Sequence, residues 1–553
     1  MRERLLVLGA AALLFLPGLG RLGLWAPDEP RYGQVAEELR SFVHGRDGLV
    51  LLHLNGAPYD QKPPLYFWAA ALAGTPADRV TEGAARLPSA LAGIACVALV
   101  FALGQRLLSP HTALLGALIF LTSQELAHLA RRAQLDVVLT LFETLALYAF
   151  VRLERGAGSR RANVALLHAA LGLAVLTKGP VGFLVPLGVI AGWLGLEGRL
   201  RDLRRLFPPW APLLSLGPGL AWLAGALALA PAGFFQGAVI DNLWGRVAEG
   251  TSHPRPLYYY LYQFPVDALP WSLAWPLVAA AGWRRVFAPE GNPERRRAWR
   301  FLLTWVAVPF VFFSLSSGKR GLYLLPALPA AALLTADALL LVIRERAALP
   351  RPFVWVARAL TAVALGAGTW LAFVPRAADL PLPRALGGAL AVGTGAAGAA
   401  WWWAGRSSST PSGVGCERTA WIRLGIAVAW VWMVLACIFH GLYPSLDGEK
   451  SPLPIARAAA ALTREGAPIG LLGSRPLTGG IAYYSGRRVE ELDSPDAARA
   501  FLESGGDAVV LEARKLDALS AVLPVRVEAR ARAGDRALVV VTRAAPRTST
   551  PPR

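Results

Sequence analysis

The stretch that decides the reading runs from Leu24 to Trp68, LWAPDEPRYGQVAEELRSFVHGRDGLVLLHLNGAPYDQKPPLYFW. It is a polar island between two apolar runs. Asp28 and Glu29 stand just before a helix-like segment, with Pro30 in its first turn and Ala36, Leu39 and Phe42 at helical spacing. A helix N-terminus keeps both carboxylates ionised, because its unpaired amides carry partial positive charge. Asn55-Gly56 predicts a tight turn. Lys62 follows, ahead of the stiff Pro63-Pro64 pair and the interfacial aromatics Tyr66, Phe67 and Trp68. Acid at one end and lysine at the other outline a candidate site, although a solvated loop beside an ordinary helix start accounts for the same residues.

Working outward, hydrophobic residues make up 55% of the 553 and charged ones 17%, with a mean hydropathy of +0.43. A water-soluble domain of this size does not carry that balance, so the chain reads as a membrane protein. The run from Met1 to Gly20 has no small-residue cleavage site before Trp25 and reads as an uncleaved first span. The net charge of +19 raises nucleic acid as a partner. The basic residues, however, cluster between apolar runs, as in cytoplasmic loops beside anionic lipid, which argues against nucleic acid. Of 56 basic residues only Lys62, Lys178, Lys319, Lys450 and Lys515 are lysines, and the first three fall in expected outer-face loops, where a compact cation is the distinguishing property. Cys96, Cys416 and Cys437 have neither paired nor metal-ligand spacing, so no disulfide framework or zinc motif is expected.

Apolar runs long enough to cross a bilayer occur about thirteen times. They lie near 4–22, 86–108, 111–130, 136–153, 163–178, 180–197, 210–230, 266–283, 300–317, 322–343, 353–374, 384–404 and 420–440. With the N-terminus inside, arginines 152, 155, 160 and 161, then 199, 201, 204 and 205, then 284 to 300 all fall in inner loops, in one consistent positive-inside orientation. An odd number of spans puts the C-terminus outside. The organisation expected is a transmembrane domain over 1–442, with outer loops at 24–85 and 231–265, a small α/β domain over 443–544 and a disordered tail over 545–553. In the small domain, helices are expected at Ile455–Leu462 and Ala497–Leu502, strands at Ile469–Leu472 and Ala508–Leu511, and a hairpin over Val525–Val541 about Gly534-Asp535. Residues 405–416, GRSSSTPSGVGC, read as a flexible linker. The acids inside the spans, chiefly Glu125, Glu143 and Asp337, form no spaced relay, which counts against a proton-coupled transporter.

Other charged groups gather at span ends. Arg131, Arg132 and Asp136 sit where two spans meet; Asp136 either faces the Asp28 loop or pairs with an arginine to lock a helix hairpin. Thr177-Lys178-Gly179-Pro180 breaks a helix at the outer interface and leaves Lys178 there, as a site cation or a snorkelling one. The loop from Phe234 to Trp271 carries Asp241, Asn242, Trp244, Arg246, His253 and then Tyr258, Tyr259 and Tyr260. Arg246 offers a planar fork suited to phosphate, while an aromatic belt explains the tyrosines alone. Ser316 to Pro326, SSGKRGLYLLP, puts Lys319, Arg320 and Tyr323 at another break between spans, where an anion is called for.

These residues carry a resemblance. WAPDEPRYGQVAEEL and LNGAPYDQKPPLYFW, followed in order by RRAQLD, LTKGP, DNLWGRVAEGTSHPRPLYYY and SSGKRGLYLLP, resemble the aminoarabinose transferases. Those belong to the superfamily of polyprenyl-phosphate-dependent C-type glycosyltransferases that includes protein mannosyltransferases. The resemblance covers most of residues 1–345. It implies an α-helical polytopic membrane protein of the C-type glycosyltransferase fold, with about 13 transmembrane helices, outer-face juxtamembrane helices and a small periplasmic domain. It also implies an enzyme of the bacterial inner membrane that takes a sugar from undecaprenyl phosphate to lipid A or a related envelope acceptor. Carried over, Asp28 is the carboxylate at the reaction centre, shaped by Glu29, Arg31 and Tyr32. Lys62 and Arg246 hold the donor phosphate, which Tyr59 and Tyr323 contact, and Asp136 and Lys178 line the cavity with Tyr258, Tyr259 and Lys319. The family places Glu before the Lys-Pro-Pro where this chain has Gln61, which weakens any divalent-metal role and with it His253 as a ligand. Two alternatives stay open: the same superfamily with another sugar and a protein or glycan acceptor, and a lipid-linked sugar transporter.

Overall fold

The computed structural model describes residues 2–237, 254–287, 292–344, 384–406 and 413–544. The expected span at 353–374, Arg246, His253, most of the Ser/Gly-rich linker and the tail from 545 lie outside them. The chain divides into two compact units. One comprises Met1–Pro17, Asp60–Tyr66 and Pro88–Tyr443; the other comprises Gly18–Tyr59, Phe67–Leu87 and Pro444–Arg553.

The first unit is helical. Apolar runs become helices because hydrocarbon offers no partner to a bare amide, and a helix satisfies its backbone internally. Among the described residues, helical segments long and apolar enough to cross a membrane are Glu82–Leu107, Pro293–Leu315, Gly321–Ile343 and Trp421–Leu462, with shorter apolar helices such as Pro110–Leu121 and Val181–Leu196. Helices Leu135–Glu154 and Arg160–Lys178 form an antiparallel pair. Small residues set close approaches: a Cβ on Gly104 would stand 2.6 Å from Ala113 Cα. Asp337, wholly buried, accepts from Trp299 Nε1 at 2.8 Å, from Thr112 Oγ1 at 3.2 Å and from Arg295, and so ties three helices together.

The expected first span is shorter than its apolar run, because the helix Arg2–Phe15 ends where the chain bends. Arg131 donates to the carbonyls of Leu14, Phe15 and Pro17 at 2.8, 3.1 and 2.8 Å. These are acceptors that a helix end leaves unpaired. Arg131 therefore serves a helix terminus, and Asp136 pairs elsewhere.

The second unit carries a five-stranded sheet in the order β4-β3-β5-β7-β6. Its strands are β3 Ile469–Leu472, β4 Val489–Leu492, β5 Val509–Glu512, β6 Val525–Ala533 and β7 Arg536–Arg543. The β4-β3-β5 part is parallel, and β5-β7-β6 is antiparallel. Side-chain alternation supplies both faces. Leu471, Val510 and Val540 pack with Ile455 and Ile481 on one side, and Leu472, Leu511 and Val539 with Phe501 and Leu519 on the other. The expected helices, two strands and hairpin all form. β4 was not expected: it is a short edge strand, VEEL, whose two central glutamates are exposed. A two-stranded hairpin, β1 His53–Leu54 with β2 Ala57–Pro58, turns at Asn55-Gly56, both at positive φ as a tight two-residue turn requires.

Candidate active site

The candidate residues fall into two groups, one in each unit. In the second unit, helix Asp28–Arg40 carries both carboxylates inside its first turn, where the helix dipole favours negative charge. Asp28 is 6% exposed and accepts from Arg31 Nη2 at 2.6 Å. The Arg31 guanidinium lies 5.3 Å from the Tyr32 ring centroid. Tyr32 and Tyr59 each meet Phe67 edge-on with centroids 5.7 Å apart, so Phe67 holds both phenols in place. Asp28, Arg31, Tyr32 and Tyr59 are thus brought together.

Glu29, expected to shape the reaction centre, is committed to the scaffold. Arg86 Nε donates to its Oε1 at 2.8 Å and Arg86 Nη2 to its Oε2 at 2.9 Å, and the Trp25 amide adds a third bond at 2.8 Å. Arg86 also donates to the carbonyls of Leu19, Leu22 and Gly23 at 3.0, 2.8 and 2.6 Å. Both side chains are almost wholly buried. This is a structural pair beneath Asp28, which the sequence reading did not single out on the arginine side. Glu38 plays a similar part under the β1–β2 turn, accepting from the amides of Asn55 and Gly56 at 2.5 and 3.1 Å and contacting His44 Nε2 at 3.1 Å.

In the first unit, Lys178 ends helix Arg160–Lys178 and donates to Asp136 in the first turn of helix Leu135–Glu154. Its ammonium also lies 4.4 Å from the Tyr323 ring centroid. Asp136, Lys178 and Tyr323 are therefore one cluster. Gln61 and Lys62 are half-buried just ahead of helix Leu65–Gly74. Lys319 is not presented as an open cation: it is 4% exposed and donates to the carbonyls of Arg255, at 3.1 Å, and Ser316, bracing its loop. Tyr258 is exposed and Tyr259 half-buried, packed edge-on against Tyr260 at 5.0 Å. Two buried acids join this neighbourhood, Glu125 and Asp267, the latter accepting from Gln263 Nε2 at 2.6 Å. The sequence reading placed Asp267 at the start of a span and gave it no role. The i, i+4 spacing of Gln263 and Asp267 was the available signal.

A family model described as dolichyl-phosphate-mannose-protein mannosyltransferase matches residues 2–230. The undecaprenyl phosphate-alpha-4-amino-4-deoxy-L-arabinose arabinosyl transferase of Pseudomonas aeruginosa is 33% identical over 349 residues, 60% of this chain and 59% of that protein. The transferase of the same description from Edwardsiella ictaluri is 29% identical over 324 residues, 58% of this chain and 56% of that protein. The chain thus matches somewhat under three fifths of the length of these two relatives. Among solved structures, ArnT from Cupriavidus metallidurans bound to undecaprenyl phosphate superposes with a TM-score of 0.75 at 21% identity, covering 97% of both chains. The fold is that of the C-type glycosyltransferases. The resemblance read from the sequence, to the aminoarabinose transferases within that superfamily, is borne out by all three comparisons.

His253, the metal candidate named above, lies outside the described residues. No group of three or more His, Cys, Asp or Glu stands together among them, and Gln61 offers a neutral amide where the family resemblance implies a carboxylate.

Proposed function

We propose that this chain is an inner-membrane glycosyltransferase that moves 4-amino-4-deoxy-L-arabinose from undecaprenyl phosphate to lipid A or a related envelope acceptor on the periplasmic face. Its N-terminus is cytoplasmic and its C-terminal domain periplasmic, in keeping with the arginine-rich inner loops. The observation that carries the reading is the ordered motif set on a C-type fold: the Asp28 loop, the Lys62-Pro-Pro segment, Asp136, Lys178 and the Tyr323 loop.

The chemistry follows from the groups. Departure of the lipid phosphate builds negative charge, which fixed cations stabilise in a site shielded from water; Lys62 and Arg246 supply them, with Tyr59 and Tyr323 beside the phosphate. Arg31 pairs with Asp28 and orients it. A lipid A phosphate acceptor is already an oxyanion, so Asp28 orients it and supports developing oxocarbenium character; toward a hydroxyl acceptor Asp28 acts as general base. Lys178, neutralised by Asp136, lines the cavity beside Tyr323.

The test is mass spectrometry of lipid A from a transferase-deficient host expressing this chain, alongside Asp28→Asn and Lys62→Ala. The expected result is an added aminopentose that both variants abolish. Full activity in both variants would refute the site. An unchanged lipid A together with labelled sugar leaving polyprenyl phosphate would move the acceptor to a protein or glycan.

A further inference from the structure

Away from the candidate site, helix Arg160–Lys178 begins against its own dipole. Ser159 caps it, but its first two residues are Arg160 and Arg161, and its first turn contains no acid. Cations at the positive end of a helix are unfavourable unless an anion joins them. The 3₁₀ segment Leu200–Leu206 adds Arg204 and Arg205, and with Trp210 these residues line an open pocket of about 480 Å³. All four arginines are exposed. Arg160 donates to the Arg205 carbonyl at 2.7 Å, and the Arg161 guanidinium lies 5.9 Å from the Trp210 ring centroid.

The neighbouring acids are already engaged. Asp202 pairs with Arg199 at 2.9 Å and with Arg205 at 3.0 Å, and Glu154 pairs with Arg199 at 2.6 Å. Of the four lining arginines, only Arg205 has a carboxylate partner among the described residues. Guanidinium forks match phosphate oxygens in pairs, so four of them suit two phosphates better than one. At about 480 Å³ the pocket is larger than a single small anion. Trp210 supplies the amphipathic ring favoured at headgroup depth.

We propose that this pocket binds the headgroup of a two-phosphate phospholipid of the diphosphatidylglycerol class from the cytoplasmic leaflet. Arg160 and Arg161 face one phosphate, Arg204 and Arg205 the other, and Trp210 covers the glycerol bridge. Basic pockets between spans on this side of a membrane are suited to such headgroups. The leaflet rests on the orientation given above; the pocket and its charge do not.

The test uses the full-length protein in detergent, delipidated and titrated with diphosphatidylglycerol or phosphatidylglycerol at matched phosphate, with bound lipid counted by native mass spectrometry. Arg161→Ala/Arg204→Ala is compared with Arg2→Ala/Arg4→Ala, which removes the same charge from another inner-face segment; monodispersity and sugar transfer report folding. The expected result is one diphosphatidylglycerol retained by wild type and control, at least tenfold weaker retention in the pocket variant, and at least fivefold weaker binding of phosphatidylglycerol. Equal retention in both double variants, or equal binding of the two lipids, would overturn the proposal. Vesicles carrying diphosphatidylglycerol in one leaflet only then test the orientation separately, and transferase activity is read independently of lipid retention.

Discussion

Replacing Arg86 with Met removes the cation beneath Asp28 while keeping an apolar stem of similar length. Glu29 then keeps the Trp25 amide but loses its countercharge, and breaking one side of such a buried pair costs about 3–5 kcal/mol. The carbonyls of Leu19, Leu22 and Gly23 lose their donor as well. Each unsatisfied acceptor is worth about 1–3 kcal/mol, though water entering the opened site offsets part of that. A net loss of about 5 kcal/mol is the working figure. At about 2–4 °C per kcal/mol for a unit of this size, the transition falls by about 10–20 °C. The assay is scanning fluorimetry in detergent at pH 7.5 and one fixed scan rate. Arg86→Met/Glu29→Gln removes the stranded charge and should recover a substantial part of the loss. A drop below about 3 °C for Arg86→Met, or a double variant no better than the single, would refute the pairing argument.

Other expectations follow from the same packing. Asp337→Ala strands Arg295 and the Trp299 indole, and should lower stability by about 3–5 kcal/mol, read as faster thermal inactivation. Gly104→Leu drives a side chain into Ala113 and should sharply reduce the yield of monodisperse protein, whereas Gly9→Leu, which meets nothing within 4 Å, should not. His53 stacks on His44 at 3.7 Å, and burial, then the charge of His44, hold its pKa below the ordinary imidazole value. As pH falls through about 6.5 the unfolded chain takes up a proton before the folded one does, so stability declines below that pH. Melting at pH 7.5 and 5.5 should show that decline, and His53→Phe should lessen it. Lys319→Met should cost folding yield while the KM of surviving enzyme stays near wild type, because Lys319 braces backbone.

The local signals in the sequence were strong where one short segment carries the instruction. Asn55-Gly56 specifies its turn with two positive φ values, and Ile469–Leu472 and Val509–Glu512 declare buried strands by composition. Partner choice over long separations was not legible. Glu29 and Arg86 are 57 residues apart, and the acid nearest Arg86 on its own helix, Glu82, pairs with Arg79 instead. Asp136 lay beside two arginines in the chain, yet pairs with Lys178, 42 residues on, because two helix ends meet there. Arg131 went to backbone carbonyls, acceptors that every sequence contains and none advertises. β4 escaped notice because an edge strand with solvent-facing glutamates lacks the continuous apolar run of its neighbours.

The second unit is stitched from chain ends that are made far apart in time. Trp25 Nε1 donates to Asp447 Oδ1 at 2.7 Å across 422 positions, and the Asn55 side chain exchanges hydrogen bonds with the Val489 backbone across 434. Contacts of such separation form late, since the loop they close must first exist. During synthesis the Asp28 loop therefore waits, incompletely buried, until the sheet-bearing segment has been made. A ribosome stalled before residue 447 has not yet made Asp447, to which the Trp25 indole and the Gly23 amide donate in the folded unit. The loop around Asp28 thus completes its hydrogen bonding only after residues 447 and 489 have been made.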